Sequence, residues 1–194
     1  MQNSMTDQQL QQIFRSFNKF MLMLWRLGLA RTFTIWPAVS GNILVLTHTG
    51  RSTGLKRKTP VNFAQVDGEL YCTAGFGRNS DWYRNMMANP NVEVWLPDGS
   101  WMEGTVEDVS DSPRRIELMR AVIIGSGFAA YLFGLNPHKY SDLELDQATA
   151  IYRILHIRRG QARTGPGGPG DLAWVWPVAT LLLLPLVCRR RCRK

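Results

Sequence analysis

LTHTGRSTGLKRKTP, residues 46–60, is the stretch on which the reading of this chain turns. It closes one strand-like run, Ile43–Thr49, and opens another, Pro60–Val66, with a glycine-punctuated loop between them. The loop carries Arg51, Lys56, Arg57 and Lys58. Glycine lets a backbone turn tightly and approach a ligand closely. Successive amides in such a turn can form an anion-binding concavity. Arginines at 51 and 57 would add bidentate hydrogen bonds to a phosphate or carboxylate. A solvated basic hairpin tip is the plainer alternative, and the rest of the chain decides between the two.

Outward from this loop the pattern is all-β with one interruption. Further strands are expected at Glu69–Thr73, Val92–Leu96, Ser100–Asp108 and Ile151–Ile157. Asp67-Gly68 and Asp98-Gly99 are tight-hairpin signals. The interruption is AGFGRNSDWYRNMMANP, residues 74–90, in which Ser80 or Asp81 caps a short helix that Asn89-Pro90 ends. Asp111-Ser112-Pro113 starts another helix, with proline in its first turn, reaching Gly125–Gly127. Helical or irregular structure follows to Leu145. Short strands with peripheral helices, and no βαβ alternation or GxGxxG, predict a mainly β fold closed as a small barrel rather than a Rossmann domain.

Residues 1–40 form an N-terminal lead-in. Thr6 and Gln9 look like a capping box for a helix over Asp7–Leu29. Leu10, Ile13, Phe14, Phe17, Met21, Leu24 and Leu27 recur at helical spacing, and FMLMLW, residues 20–25, is apolar nearly all round. Residues 41–159 form the barrel domain. GQARTGPGGPG, residues 160–170, reads as a Gly/Pro linker, extended to 171.

Residues 172–194 form an apolar tail with a basic end: Leu172–Cys188 holds no charge, and RRRCRK follows. Seventeen residues of helix span only about 25 Å, short of a ~30 Å hydrocarbon core. Pro177 and Pro185 interrupt it, and basic groups flank both ends. A shallow or re-entrant anchor on an anionic surface fits better than a span, and a tail folded back onto the body is the plainer alternative. The chain is thus expected to be cytoplasmic and membrane-associated through this segment.

The chain has 194 residues and a formal net charge of +8. Residues 171–194 carry five basic groups and one acidic, half of that excess. The body is only mildly basic and shows no nucleic-acid fingerprint, so a nucleic-acid partner is not expected. Cys72, Cys188 and Cys192 make no disulfide framework and suit a reducing compartment, Cys72 reading as a small buried apolar residue. The first residues lack the pattern of a secretory signal. His48, His138 and His156 have no partners at metal-ligand spacing, so no metal site is expected, and neither GxSxG nor a P-loop occurs.

Gly75 and Gly77 permit close approach of a flat ligand, and Trp82 and Tyr83 offer an aromatic wall with polar tips. With the basic loop, they suit a ligand with an anionic tail and a planar head. Together, LTHTGRSTGLKRKTPVNF, the Asp67-Gly68 hairpin, GFGRNSDWYRNMMANP and VEVWLPDG closely resemble the deazaflavin-dependent nitroreductase family, which comprises split-β-barrel oxidoreductases related to FMN-binding pyridoxamine-oxidase-like proteins. The resemblance covers about Ile43 to Ile157.

That resemblance implies an FMN-binding split β-barrel and reduced 8-hydroxy-5-deazaflavin (factor 420) as hydride donor to a quinone or nitroaromatic acceptor. It implies that Gly50, Arg51, Thr53, Gly54, Lys56 and Arg57 hold the coenzyme's phosphate and acidic tail. Pro60, Val61 and Asn62 would lie beside the ring, and Ala74, Gly75 and Phe76 would form the turn near it. Trp82 and Tyr83 would support that wall. Arg78 stands where many relatives have a Ser/Lys-rich turn and would supply a cationic contact. No catalytic residue is identified beyond Tyr131 and Tyr140, which are candidates for the substrate side. Pairing as a homodimer is a family expectation. Two other readings compete: an FMN-dependent split-barrel oxidoreductase, which needs fewer cations, and a non-catalytic flavin or tetrapyrrole carrier, which would bind without turnover.

Overall fold

In a computed structural model, residues 7–33 and 41–191 are described, with side chains over 16–32 and 41–184. Six antiparallel strands close into a barrel in the order β1-β2-β3-β6-β5-β4. They are β1 Ile43–Thr49, β2 Lys56–Val66, β3 Glu69–Ala74, β4 Asn91–Trp95, β5 Trp101–Asp108 and β6 Arg153–Ala162. The helices are α1 Asp7–Arg26, α2 Ala30–Phe33, α3 Asp81–Ala88, α4 Arg115–Gly125, α5 Phe128–Leu132, α6 Asp142–Ala148 and α7 Val175–Arg191, with a 3-10 turn at Gly77–Asn79. Thr6 of the expected capping box lies outside the described residues.

Period-two alternation builds the interior. Leu44 and Leu46 of β1 face inward with Val61, Leu70, Cys72, Val94, Leu155 and Ile157. Tyr83 and Met86 of α3 pack against this core. Ile43 and Val45 point outward with Trp95, beneath Met21, Leu24 and Trp25 of α1. A third cluster centres on Leu118, Met119 and Ile123 of α4, with Tyr71 and Val66 of the barrel wall. The β2–β3 hairpin turns at Asp67 and Gly68, both at positive φ (52° and 84°), as the Asp-Gly pair predicts. Ser141 and Glu144 form a full capping box for α6.

Three expected boundaries are corrected. β2 begins at Lys56, not Pro60, because Lys56–Thr59 pair with Thr49–Leu46 of β1; tertiary pairing overrides the low strand propensity of a charged run. β6 starts at Arg153 rather than Ile151 and runs on to Ala162, so the expected linker begins inside the sheet. The remainder of that linker is docked: the Gly170 and Leu172 amides donate to the carbonyls of Trp25 and Arg26, and Arg26 grips Asp171 at 2.9–3.1 Å. The expected first helix ends at Arg26, where Gly28 turns at φ 75°. No helix among the described residues is long and apolar enough to cross a membrane.

Candidate functional site

The loop after β1 does not present its amides to a ligand. The Gly50 amide donates to the Leu55 carbonyl at 2.9 Å, and those of Thr53 and Gly54 donate to the Gly50 carbonyl. The Leu55 amide goes to Thr53 Oγ1, and that of Arg51 to Asn85 Oδ1. These donors are spent inside the protein, so the amide-lined anion concavity suggested by the glycines is not what this loop builds. Gly50 is closely packed, and a larger residue would make the Thr53 and Arg57 side chains shift. A Cβ there would stand 2.8 Å from Thr53 Oγ1 and 3.1 Å from Arg57 Nε.

The basic run is divided by the strand that carries it. Arg57 pairs with His48 across the β1–β2 ladder, whereas Lys56 and Lys58 pair with Thr49 and Thr47. Neighbouring residues on a strand point to opposite faces, so the two lysines lie on the outer side and Arg57 on the other. Lys56 is ion-paired to Glu93. It borders an outer polar recess of about 510 Å³ that also takes in Arg163 and Glu103, whose charges are mutually paired. Lys58 lies 3.8 Å over the Trp95 ring and reaches the Gly167 carbonyl, and burial lowers its pKa. Arg57 alone of these cations makes no hydrogen bond or ion pair among the described residues, and it is exposed.

Arg51 is also committed. Its guanidinium reaches Asp81 Oδ1 at 3.0 Å and Asn85 Oδ1 at 3.0 Å, tying the loop to α3. Asn85 Nδ2 then faces His48 Nδ1 at 3.4 Å, and His48 Nε2 meets Thr59 Oγ1 at 3.1 Å. His48 is 2% exposed. Desolvation, with Arg57 beside it, pulls its pKa down to about 4. It is a neutral histidine that organises the loop, a role its sequence context did not single out.

The expected ring-side residues lie on the two strands where the β2–β3 ladder ends, with Val61 and Ala74 buried in one core cluster. The β2–β3 ladder has only four pairs, from Phe63↔Cys72 to Val66↔Glu69. Upstream, Pro60, Val61 and Asn62 pair with β1. Downstream, Thr73 and Ala74 pair with β6. The sheet therefore splits between Pro60–Asn62 on one side and Ala74–Phe76 on the other. Arg57 stands three residues before Pro60. Arg78 is exposed in the 3-10 turn after Phe76; its carbonyl accepts from Arg84 Nε at 2.8 Å, while its guanidinium makes no hydrogen bond or ion pair among the described residues. Gly75 lies against the Tyr152 ring, where an added Cβ would make ordinary contact at 3.7 Å.

The aromatic pair is used differently from a shared wall. Trp82 is partly buried against the barrel core, while Tyr83 is buried within it. The Tyr83 hydroxyl donates to Asp108 Oδ2 at 2.5 Å. Burial, then the Asp108 carboxylate, raises the Tyr83 pKa. Burial alone would raise that of Asp108, but hydrogen bonds from Ser110 and Tyr83 bring it below the ordinary value. Tyr140 is likewise committed, its hydroxyl donating to the Gly134 carbonyl at 2.9 Å. Tyr131 is exposed on α5.

A six-stranded closed antiparallel barrel with peripheral helices, its β2–β3 ladder limited to four pairs, resembles the split-barrel folds. The family model described as F420H(2)-dependent quinone reductase matches residues 28–134, more than half of the chain, and the protein belongs to that family. Among solved structures, a conserved hypothetical protein from Mycobacterium tuberculosis is 22% identical over 64% of this chain and 76% of its own, with a TM-score of 0.46. The heme storage protein of Vibrio cholerae is 11% identical over 73% and 93%, TM-score 0.44. An FAD-binding protein from Mesorhizobium loti is 16% identical over 65% and 86%, TM-score 0.40. Likenesses at that level say nothing about ligand or activity.

Proposed function

We propose that this protein is a deazaflavin-dependent oxidoreductase that reduces a quinone or nitroaromatic acceptor at a membrane surface. The observation that carries the reading is the split between β2 and β3, with an arginine on each side whose guanidinium is unpaired among the described residues. The residues present fit the coenzyme. Gly50 lets the loop pack closely against Arg57 beside the split, and the turn at Gly75 brings backbone rather than side chain to its edge.

When bound, a reduced 8-hydroxy-5-deazaflavin supplies a hydride. This chain's residues bind and orient. Arg57 and Arg78 pair with the anionic phosphate and acidic tail. Pro60–Asn62 and Ala74–Phe76 hold a planar ring by their backbones, and Trp82 backs the latter segment. Arg51 acts through Asp81 and Asn85 as a positioning residue. Thr53, Gly54 and Lys56 shape and anchor the loop. A lipid-soluble acceptor would be met at the bilayer.

The test is a parallel titration of the full chain with the deazaflavin coenzyme and with FMN, followed by turnover with a quinone. Deazaflavin binding with quinone reduction supports the reading. Preference for FMN moves the protein to flavin chemistry, and binding without turnover of any acceptor makes it a carrier.

A further inference from the structure

The two terminal helices present apolar side chains that nothing in the described chain covers. On α1, Phe17, Phe20 and Met23 are 41%, 55% and 58% exposed, beside the face that packs on Trp95. On α7 the four consecutive residues Leu181–Leu184 are between 57% and 72% exposed. Four successive helical positions point in every direction around the axis. Exposure of all four means this part of α7 touches no other described part of the protein. Such a helix has no polar face with which to meet water.

The charge of the chain is concentrated at the same two places. Residues 34–171 hold fourteen basic and fourteen acidic side chains. Residues 1–33 hold four basic and one acidic, and residues 172–194 hold five basic and none acidic. Residues 34–171 are neutral overall, and the whole net charge of +8 falls in the two terminal segments of the sequence.

The helices are also joined. Trp176 Nε1 donates to the Leu27 carbonyl at 2.8 Å. The Gly170 and Leu172 amides bond the carbonyls of Trp25 and Arg26, and Arg26 and Asp171 form a forked ion pair. This corner couples the start of α7 to the end of α1 although they are about 150 residues apart in sequence.

We infer that α7 and the exposed flank of α1 form one composite docking surface for a lipid bilayer carrying anionic headgroups. Apolar side chains combined with clustered basic groups are the two signals that together give stable attachment. Trp174 and Trp176 stand at the corner, where indoles favour the headgroup level. Because α7 is not long and apolar enough to cross, it lies in one leaflet or at its interface. The inference deepens the membrane part of the proposed function and is independent of its cofactor.

The test is flotation of the full chain with phosphatidylcholine vesicles, with and without phosphatidylglycerol, in the absence of coenzyme. The expected result is binding to the mixed vesicles that falls about tenfold or more on neutral vesicles or in high salt. The paired change Leu182→Glu with Leu183→Glu abolishes it. Phe20→Glu with Met23→Glu, on the other helix, weakens it severalfold. Circular dichroism and unfolding curves of both variants, altered only at exposed positions, should match the parent. Failure to float with the mixed vesicles overturns the inference, as does binding indifferent to the α1 changes. So does sedimentation showing that the Leu182 and Leu183 changes convert a dimer to a monomer while vesicle binding is retained, since the leucines would then cover a second copy. Deazaflavin binding, measured without vesicles, reports separately on the proposed activity.

Discussion

Acidification from pH 7 to pH 4 should remove about 3 kcal/mol of folding stability through His48 alone. The Oδ1 of Asn85 accepts from both the amide and the guanidinium of Arg51, which fixes the orientation of the Asn85 amide. Its Nδ2 therefore faces His48 Nδ1, which must accept, leaving the proton on Nε2 toward Thr59 Oγ1. A second proton on the ring would set two donors face to face inside a buried site already beside Arg57. This is the geometric counterpart of a pKa pulled by desolvation from 6.5 to about 4. Below pH 6.5 the unfolded chain takes up a proton that the folded chain refuses until about pH 4. The unfolded state then binds more protons, so stability falls as pH falls through that window and is fully present above it. At about 1.4 kcal/mol per pH unit, the window is worth about 3 kcal/mol. Urea unfolding of the parent and of His48→Gln, at steps between pH 7 and pH 4, measures it. Glutamine keeps an acceptor and a donor but does not titrate, and the carboxylates common to both proteins cancel in the difference. The parent-minus-variant stability should slope across pH 4–6.5 and flatten above. A flat difference, or an imidazole resonance of His48 titrating near 6.5, would refute the reasoning.

Three further outcomes follow from the same geometry. Arg57→Ala should weaken deazaflavin binding by roughly tenfold to a hundredfold, the worth of one or two charge-assisted hydrogen bonds, whereas Lys56→Ala should change it little because Glu93 already holds that ammonium; equal losses in fluorescence titrations would contradict the division of the basic run. Gly77→Ala should cost about 3 kcal/mol or more, since its Cβ would stand 2.1 Å from the Ile151 carbonyl oxygen at φ 54°. Gly54→Ala, at φ 67° with nothing within 4 Å, should cost only about 1–2 kcal/mol; thermal unfolding ranks the two. Cys72 should resist a thiol reagent in the folded protein at neutral pH and react on denaturation, because it is fully buried and burial pushes its thiol up to about 12; rapid native labelling would show that the barrel opens more readily than its packing implies.

The barrel was readable where local chemistry and tertiary packing agree. β1 opens on the four apolar residues Ile43–Leu46, and the Asp-Gly pairs at 67–68 and 98–99 turn where turn chemistry requires. Legibility failed where long-range pairing decides. Nothing local makes KRKT a strand, yet β1 supplies its partner. Nothing in GQARTGPGGPG announces that Gly170 and Leu172 amides will find α1. The same holds for side chains of one type. Tyr83 and Tyr140 read as ligand candidates because tyrosine carries a polar tip, but each tip is satisfied by a partner remote or hidden in sequence. His48 carried in sequence only the absence of metal-ligand spacing, and only the fixed amide of Asn85 shows what its neutrality holds in place.

The division of the basic run carries the largest consequence of this kind. Read as a loop, Lys56, Arg57 and Lys58 are three equivalent cations around one anion. Read as a strand, they alternate, and two of the three are withdrawn to the opposite face, where Glu93 and the Trp95 ring hold them. A multi-charged tail then cannot be gripped by adjacent residues of one segment. Under the proposed function its contacts would come from cations on separate elements, Arg57 from β2 and Arg78 from the turn before α3. That arrangement depends on α3 staying fixed to the loop, which is the task of Arg51, Asp81 and Asn85. Under the proposed function, recognition would then depend on the relative placement of two elements more than on the count of positive charges in the motif.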